Sequence, residues 1–172
     1  MDNSIDFAHS LLCWSYILKR EYDKAIAEGE RAVALDSNAT FALDAYGTSL
    51  RYAGRPKEAI PLYQKATRLS PFGPGWLYLG SGHVLRDTGR FEEAVSAYKK
   101  AIQLWPDHFL AHLNLADIYI RMGREKEARV EAAEVLRINP KFSVDYYVKI
   151  LPYKDQSQTD KFRNALRKAG LK

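Results

Sequence analysis

His108 and His112 carry the most direct chemical potential in this 172-residue chain. Four apart at a predicted helix start, they could set two imidazoles on one metal ion. No third ligand follows at a fixed spacing, and His112 occupies a position that the surrounding pattern packs, so no metal site is implied. Gly80-Ser81-Gly82-His83 has the outline of a phosphate loop or a nucleophile elbow. Both motifs need a preceding strand, and this stretch lies inside a predicted helix. Glu92-Glu93 and the pair Glu125 and Glu127 could be paired carboxylates for acid–base work. They fall in first turns of predicted helices, where the macrodipole favours acidic side chains. Cys13 is the single cysteine; it excludes an internal disulfide, suits a reducing compartment, and sits where the pattern asks for a small packed residue. These readings leave no catalytic, metal or cofactor site, and no enzymatic activity is expected of this chain.

The elements that hold these residues follow one plan, clearest in Gly89 to Pro106, GRFEEAVSAYKKAIQLWP. Gly89-Arg90 breaks a helix. Phe91, Ala94, Tyr98, Ala101 and Leu104 then recur at helical spacing, and Pro106 stops the run. Small and aromatic residues at that spacing describe a helix face packed closely on a neighbour. Gly54-Arg55 opens the same arrangement with Ala59, Tyr63, Ala66, Leu69 and Pro71. Gly123-Arg124 does so with Ala128, Ala132, Val135, Ile138 and Pro140. A degraded copy runs through Arg20, Tyr22, Ala25, Gly29, Ala32 and Leu35. The marker alanines Ala25, Ala59, Ala94 and Ala128 are separated by 34, 35 and 34 residues, a period that signals stacked helical repeats. A second helical pattern precedes each copy, with Leu12-Cys13, Tyr46-Gly47, Ser81-Gly82 and Leu115-Ala116 at equivalent places.

On these residues the chain resembles the tetratricopeptide repeat (TPR) family over roughly residues 6 to 142, with Arg20 in place of a turn glycine and Ser81 in place of a leucine. The resemblance implies an all-α, right-handed α-solenoid of four helix pairs. The expected domains are residues 1–142, with repeats at 6–39, 40–73, 75–108 and 109–142, and a C-terminal capping helical segment at 143–172. Helices are expected near 40–53, 56–69, 76–88, 91–104, 108–122 and 125–138. Two prolines and two glycines in Ser70–Gly75 predict a loosened joint with a small change in superhelical pitch.

Charge is unevenly placed. Residues 141–172 hold 8 basic and 3 acidic side chains, the whole net charge of +5, so the repeats form a neutral body. A helix opened by Ser157, with Phe162, Leu166 and Ala169 on one stripe and Gly170 at its end, has the look of a cap. No basic and apolar leader opens the chain and no run of about 18 apolar residues occurs, so a cytoplasmic setting is expected. The first repeat begins at once, leaving Phe7, Leu11 and Trp14 to face water or something upstream; a fragment of a longer protein is expected. The tail, through Phe142-Ser143, Leu151-Pro152-Tyr153-Lys154-Asp155 and Leu166–Leu171, also resembles the ends of bacterial proteins joining a class III adenylate/guanylate cyclase domain to TPR repeats. That resemblance would place a catalytic domain outside this chain.

The TPR resemblance assigns a partner-binding groove to the first helix of each repeat. Its residues here are Phe7, Leu11 and Trp14; then Phe41, Asp44, Thr48, Arg51 and Tyr52. The third repeat supplies Trp76, Leu79, His83, Arg86 and Asp87, and the fourth Leu110, Asn114, Asp117 and Arg121. The clamp of lysines and asparagines by which some relatives hold a peptide carboxylate is absent. An aromatic strip bordered by Arg51, Arg86 and Arg121 suits an amphipathic or extended partner with some acidic residues. Two other roles are consistent with the sequence: homo-oligomerisation through the uncapped first repeat, and anionic-surface or nucleic-acid binding by the basic tail.

Overall fold

A computed structural model describes residues 4–172; Met1, Asp2 and Asn3, part of the stretch read as lacking a leader, lie outside the described residues. The described residues form ten helices and no strand: α1 (Ser4–Leu18), α2 (Tyr22–Leu35), α3 (Thr40–Tyr52), α4 (Pro56–Leu69), α5 (Gly75–Asp87), α6 (Phe91–Leu104), α7 (Phe109–Arg121), α8 (Glu125–Ile138), α9 (Val144–Ile150) and α10 (Gln156–Lys168). The first eight pair as α1/α2, α3/α4, α5/α6 and α7/α8. Contacts of α1 with α3, α3 with α5 and α5 with α7 make the odd-numbered helices one continuous inner layer. The result is a right-handed α-solenoid of four helix pairs with a C-terminal helical cap. Observed boundaries lie within one residue of those expected from the repeat.

The small residues explain why the helices come so close. Ala25, Ala59, Ala94 and Ala128 are fully buried at equivalent places. Gly80 and Gly82, the two glycines of the loop-like Gly-Ser-Gly, both lie in α5 and receive tyrosine rings. A Cβ on Gly80 would come within 2.5 Å of Tyr63, and one on Gly82 within 2.5 Å of Tyr98. Both tyrosines are buried. The stretch is therefore a packing device between α4, α5 and α6 and cradles nothing.

Each pair turns through one residue in the left-handed region: Gly54, Gly89 and Gly123 at φ 85°, 80° and 75°. In the first pair that residue is Arg20, at φ 59°, where an L side chain costs about 1 kcal/mol. The joint between the second and third pairs is an ordered turn. Gly73 N–H donates to Ser70 O (2.9 Å) and the Tyr78 hydroxyl to Pro71 O (2.5 Å).

Beyond Pro140, Ser143 caps α9, its side chain accepting from Tyr146 N–H. The last helix opens one residue earlier than expected, because the Asp155 carboxylate, and not Ser157, caps it by accepting from Ser157 N–H (2.9 Å). Phe162, Leu166 and Ala169 are buried, and α10 packs on α7 and α9. The cap thus sits on the inner layer, and the five residues between α9 and α10 enter the concave face. No helix among the described residues is long and apolar enough to cross a membrane.

Candidate functional site

Pro152 lacks an N–H and disfavours helix in the residue before it, so the chain leaves α9 extended, with Leu151 at φ −68° and ψ 122°. The segment Leu151–Asp155 then runs back toward the first two pairs as a strap. Lys154 N–H donates to Tyr52 O (3.0 Å). Arg20 donates through Nη2 to Leu151 O (3.2 Å) and through Nη1 to Tyr153 O (3.5 Å). The Tyr22 hydroxyl donates to Pro152 O (3.2 Å). Arg20, the residue that breaks the glycine rule at the turn, is therefore the one that grips the strap backbone.

Tyr153 closes a buried ion network. Its hydroxyl donates to Asp87 Oδ2 (2.8 Å) and accepts from Arg86 Nη2 (2.6 Å) and from Arg51. Asp87 also accepts from Arg51 Nε (2.7 Å) and Arg86 Nε (2.9 Å), while Arg86 reaches Asn114. The Arg51 guanidinium lies over the rings of Tyr52 and Tyr153, 4.6 and 4.8 Å from their centroids, and that of Arg86 over Phe162 at 5.0 Å. Burial alone would raise the Asp87 carboxyl, yet the two guanidiniums hold it well below the usual carboxylate range. Asp117 differs: burial raises its pKa against the pull of Arg86 and Arg121. Its Oδ1 accepts from Arg121 Nε (2.8 Å), whereas Oδ2 has no hydrogen-bond partner and lies 3.8 Å from Arg86 Nε.

The rest of the concave face stays open as a cavity of about 350 Å³ bordered by Trp14, Phe41, Asp44, Thr48, Trp76, Leu79, His83, Leu110 and Tyr147. An aromatic run leads into it: Phe7 and Phe41 lie 5.1 Å apart, and Phe41 meets Trp76 edge-on at 6.2 Å and 90°. Asp44 is buried, and its Oδ1 accepts from the Tyr63 hydroxyl (2.9 Å). Burial pushes its carboxyl up to about 7, against the Tyr63 hydrogen bond and the Arg51 charge. Thr48 and the same Tyr63 hydroxyl are 2.9 Å apart, as are His83 Nδ1 and the Tyr98 hydroxyl. Burial, then Arg51 and Arg86, hold His83 well below its ordinary range, so it is neutral.

The residues named from the sequence thus divide in two. Trp14, Phe41, Asp44, Thr48, Trp76, Leu79, His83 and Leu110 border the open part, Phe7 lies against Phe41 beside it, and Leu11 is half exposed on α1. Arg51, Tyr52, Arg86, Asp87, Asn114, Asp117 and Arg121 belong to the network or touch the strap. The expectation of a basic border that suits acidic partners is corrected here: Arg51 and Arg86 are only 5% and 4% exposed and already hold Asp87. Tyr153, Arg20 and Tyr22 are not among the groove residues that the repeat pattern names. One sign of them was available, an arginine where the repeat wants a left-handed glycine.

The remaining candidates resolve into packing. His112 uses both ring nitrogens, with Glu131 (2.6 Å) and Pro106 O (3.0 Å), and His108 packs at a tilt against Trp105, ring centroids 4.9 Å apart. No metal-holding group of three acidic, histidine or cysteine side chains occurs among the described residues. Cys13 is fully buried, its thiol donating to Ala45 O (3.2 Å), and burial pushes the thiol up to about 12. In the basic tail, Arg163, Arg167 and Lys168 lie in ion pairs with Asp160, Asp145 and Glu125.

Residues 85–147 match the family model described as "Tetratricopeptide repeat". Over 59 residues the chain is 42% identical to anaphase-promoting complex subunit 7 of Homo sapiens and, equally, of Mus musculus. That stretch is 34% of this chain and 10% of the subunit, so the chain spans about a tenth of the curated relatives it matches. Among solved structures, PilF of Pseudomonas aeruginosa superposes with a TM-score of 0.74 at 20% identity, over 98% of this chain and 78% of that one. MamA gives 0.67 at 24% identity, over 90% of each chain. YrrB, described as a TPR protein with an unusual peptide-binding site, gives 0.63 at 23% identity, over 94% and 82%. At these identities the likeness is one of fold.

Proposed function

We propose that this tetratricopeptide-type solenoid is a non-catalytic docking module that holds a protein or peptide partner in the open half of its concave face. The observation that supports this is the partly exposed aromatic run of Phe7, Phe41 and Trp76 leading into a cavity beside the strap. Exposed aromatic surface in a concave site is the kind that supplies binding anchors. The wider setting we propose is a cytoplasmic bacterial signalling protein, such as a class III nucleotide cyclase, whose catalytic domain lies outside this chain. Leu151–Asp155, one of the three tail segments that carry that resemblance, is folded into the groove, which supports a tail of this kind being an integral part of the module. A partner isolated on the immobilised chain and then titrated should bind Trp76→Ala about thirtyfold more weakly, the loss of one anchor of about 2 kcal/mol. Unchanged affinity, with melting temperature preserved, would remove the open half from the binding surface.

A second reading, self-association through the first repeat, is favoured by one observation. Ile5, Leu11, Leu12 and Leu18 on α1 are each about half exposed or more. Light scattering at tens of micromolar should then show a dimer that Leu11→Glu with Leu18→Glu makes monomeric. A wild-type monomer at that concentration discards this reading.

A further inference from the structure

We infer that the open cavity receives a methylated ammonium group, the N-methylated lysine side chain of a partner segment. This rests on the groove being the docking surface proposed above, and it reverses the charge expected of the partner from sequence.

Charge is the first reason. Within the concave network the guanidiniums of Arg51 and Arg86 face the carboxylates of Asp87 and Asp117, and Arg121 pairs with Asp117 from the far end. Arg51, although it borders the cavity, is 5% exposed, bound to Asp87 and flanked by two tyrosine rings. His83, from α5, is neutral. Asp44 is thus the carboxyl group bordering the cavity, it is 6% exposed, and among the described residues its one side-chain hydrogen bond comes from Tyr63. An incoming anion would meet this acid and the negative faces of the rings.

The walls give the second reason. Trp14 borders the cavity from α1, while Phe41 and Trp76 meet at a right angle and form a corner. Aromatic faces attract a cation, by most when it is drawn out of water. They offer an N–H donor almost nothing. The other polar side chains on the wall are engaged, Thr48 with Tyr63 and His83 with Tyr98. A primary ammonium, with three donors, would leave most of them unpaired in a desolvated site. Methyl groups remove the donors and keep the charge.

The test uses the whole chain and three probes: N-acetyl-trimethyllysine amide, its neutral tert-butyl carbon isostere, and N-acetyl-lysine amide. Indole N–H signals are followed by NMR at matched ionic strength. Trimethyllysine amide should shift the signals of Trp14 and Trp76, leave exposed Trp105 in place, and bind about tenfold or more tightly than either other probe. Asp44→Asn should lower its affinity and leave that of the neutral isostere unchanged. Lowering the pH from 8 to 5.5 should weaken it in wild type, since Asp44 takes up a proton there while Arg51 stays charged and His83 neutral; the isostere should be indifferent. Equal affinity for charged and neutral probes in wild type overturns the inference, even where Asp44→Asn fails to fold, and leaves the docking groove standing as an apolar one. Preference for unmethylated lysine, or no shift of either indole, also overturns it.

Discussion

Replacing Asp87 with asparagine should lower the unfolding free energy by about 3–5 kcal/mol, the loss expected when one partner of a buried ion pair is removed. The shape is kept, but Arg51 loses its carboxylate partner and Arg86 keeps only the more distant Asp117, both guanidiniums being buried. The pH dependence gives a second measurement. The folded-state pKa of Asp87 lies below its ordinary value, so its contribution is complete above about pH 4 and is lost as the pH falls further. Asp44 has the opposite sign. Its carboxyl rises to about 7, so it favours the folded state at low pH and withdraws that support as the pH climbs from about 4 to 7. Urea midpoints between pH 4 and 2 therefore isolate Asp87. Wild type should weaken across that range more steeply than Asp87→Asn, with exposed carboxylates common to both cancelling. Parallel slopes, or a variant as stable as wild type, would show that the network does not bear on folding.

Releasing the strap should have an effect of similar size but local extent. Tyr153 is buried against Tyr52, with ring centroids 5.0 Å apart, and its hydroxyl joins three charged groups. Tyr153→Ala removes both, at a cost of about 3–5 kcal/mol by the standard for deleting a buried aromatic ring. Tyr153→Phe removes only hydrogen bonds to charged groups, about 1.5–3 kcal/mol. Because the strap hangs on few contacts, amide exchange in residues 151–168 should accelerate strongly in Tyr153→Ala. Exchange in α4 and α6 should remain as in wild type. If the tail amides exchange at wild-type rates, the strap is held by something other than this tyrosine.

How far this was readable in the sequence depends on distance along the chain. The helix pairs follow from neighbours: Ala59, Ala94 and Ala128 recur with the repeat, and Gly80 and Gly82 make room for tyrosines 17 and 16 residues away. The aromatic half of the groove follows as well, since Phe41 and Trp76 occupy equivalent places in successive repeats. The state of the arginines does not follow. A repeat pattern puts Arg51 and Arg86 at the rim, and only a segment outside the period buries them. Arg51 and Tyr153 are 102 residues apart, and Arg20 and Leu151 are 131 apart. Spacing arguments do not extend to such pairs. Asp87 was legible as a groove position and not as the centre of a network, because its importance comes from Tyr153.

The hydrogen bonds from Arg20 and Tyr22 to the strap have a wider thermodynamic meaning. In an ordinary solenoid each layer touches only the next, stability adds up link by link, and melting can begin at either end. Here a chord joins the first turn of the array to the segment that follows the last, so the turn between α1 and α2 cannot move away without breaking its hydrogen bonds to the strap. Unfolding should lose its ladder-like, stepwise character and become a single event for all four layers. An array tied in this way behaves less like an open spring than like a closed hoop, holding its curvature whether or not anything sits inside.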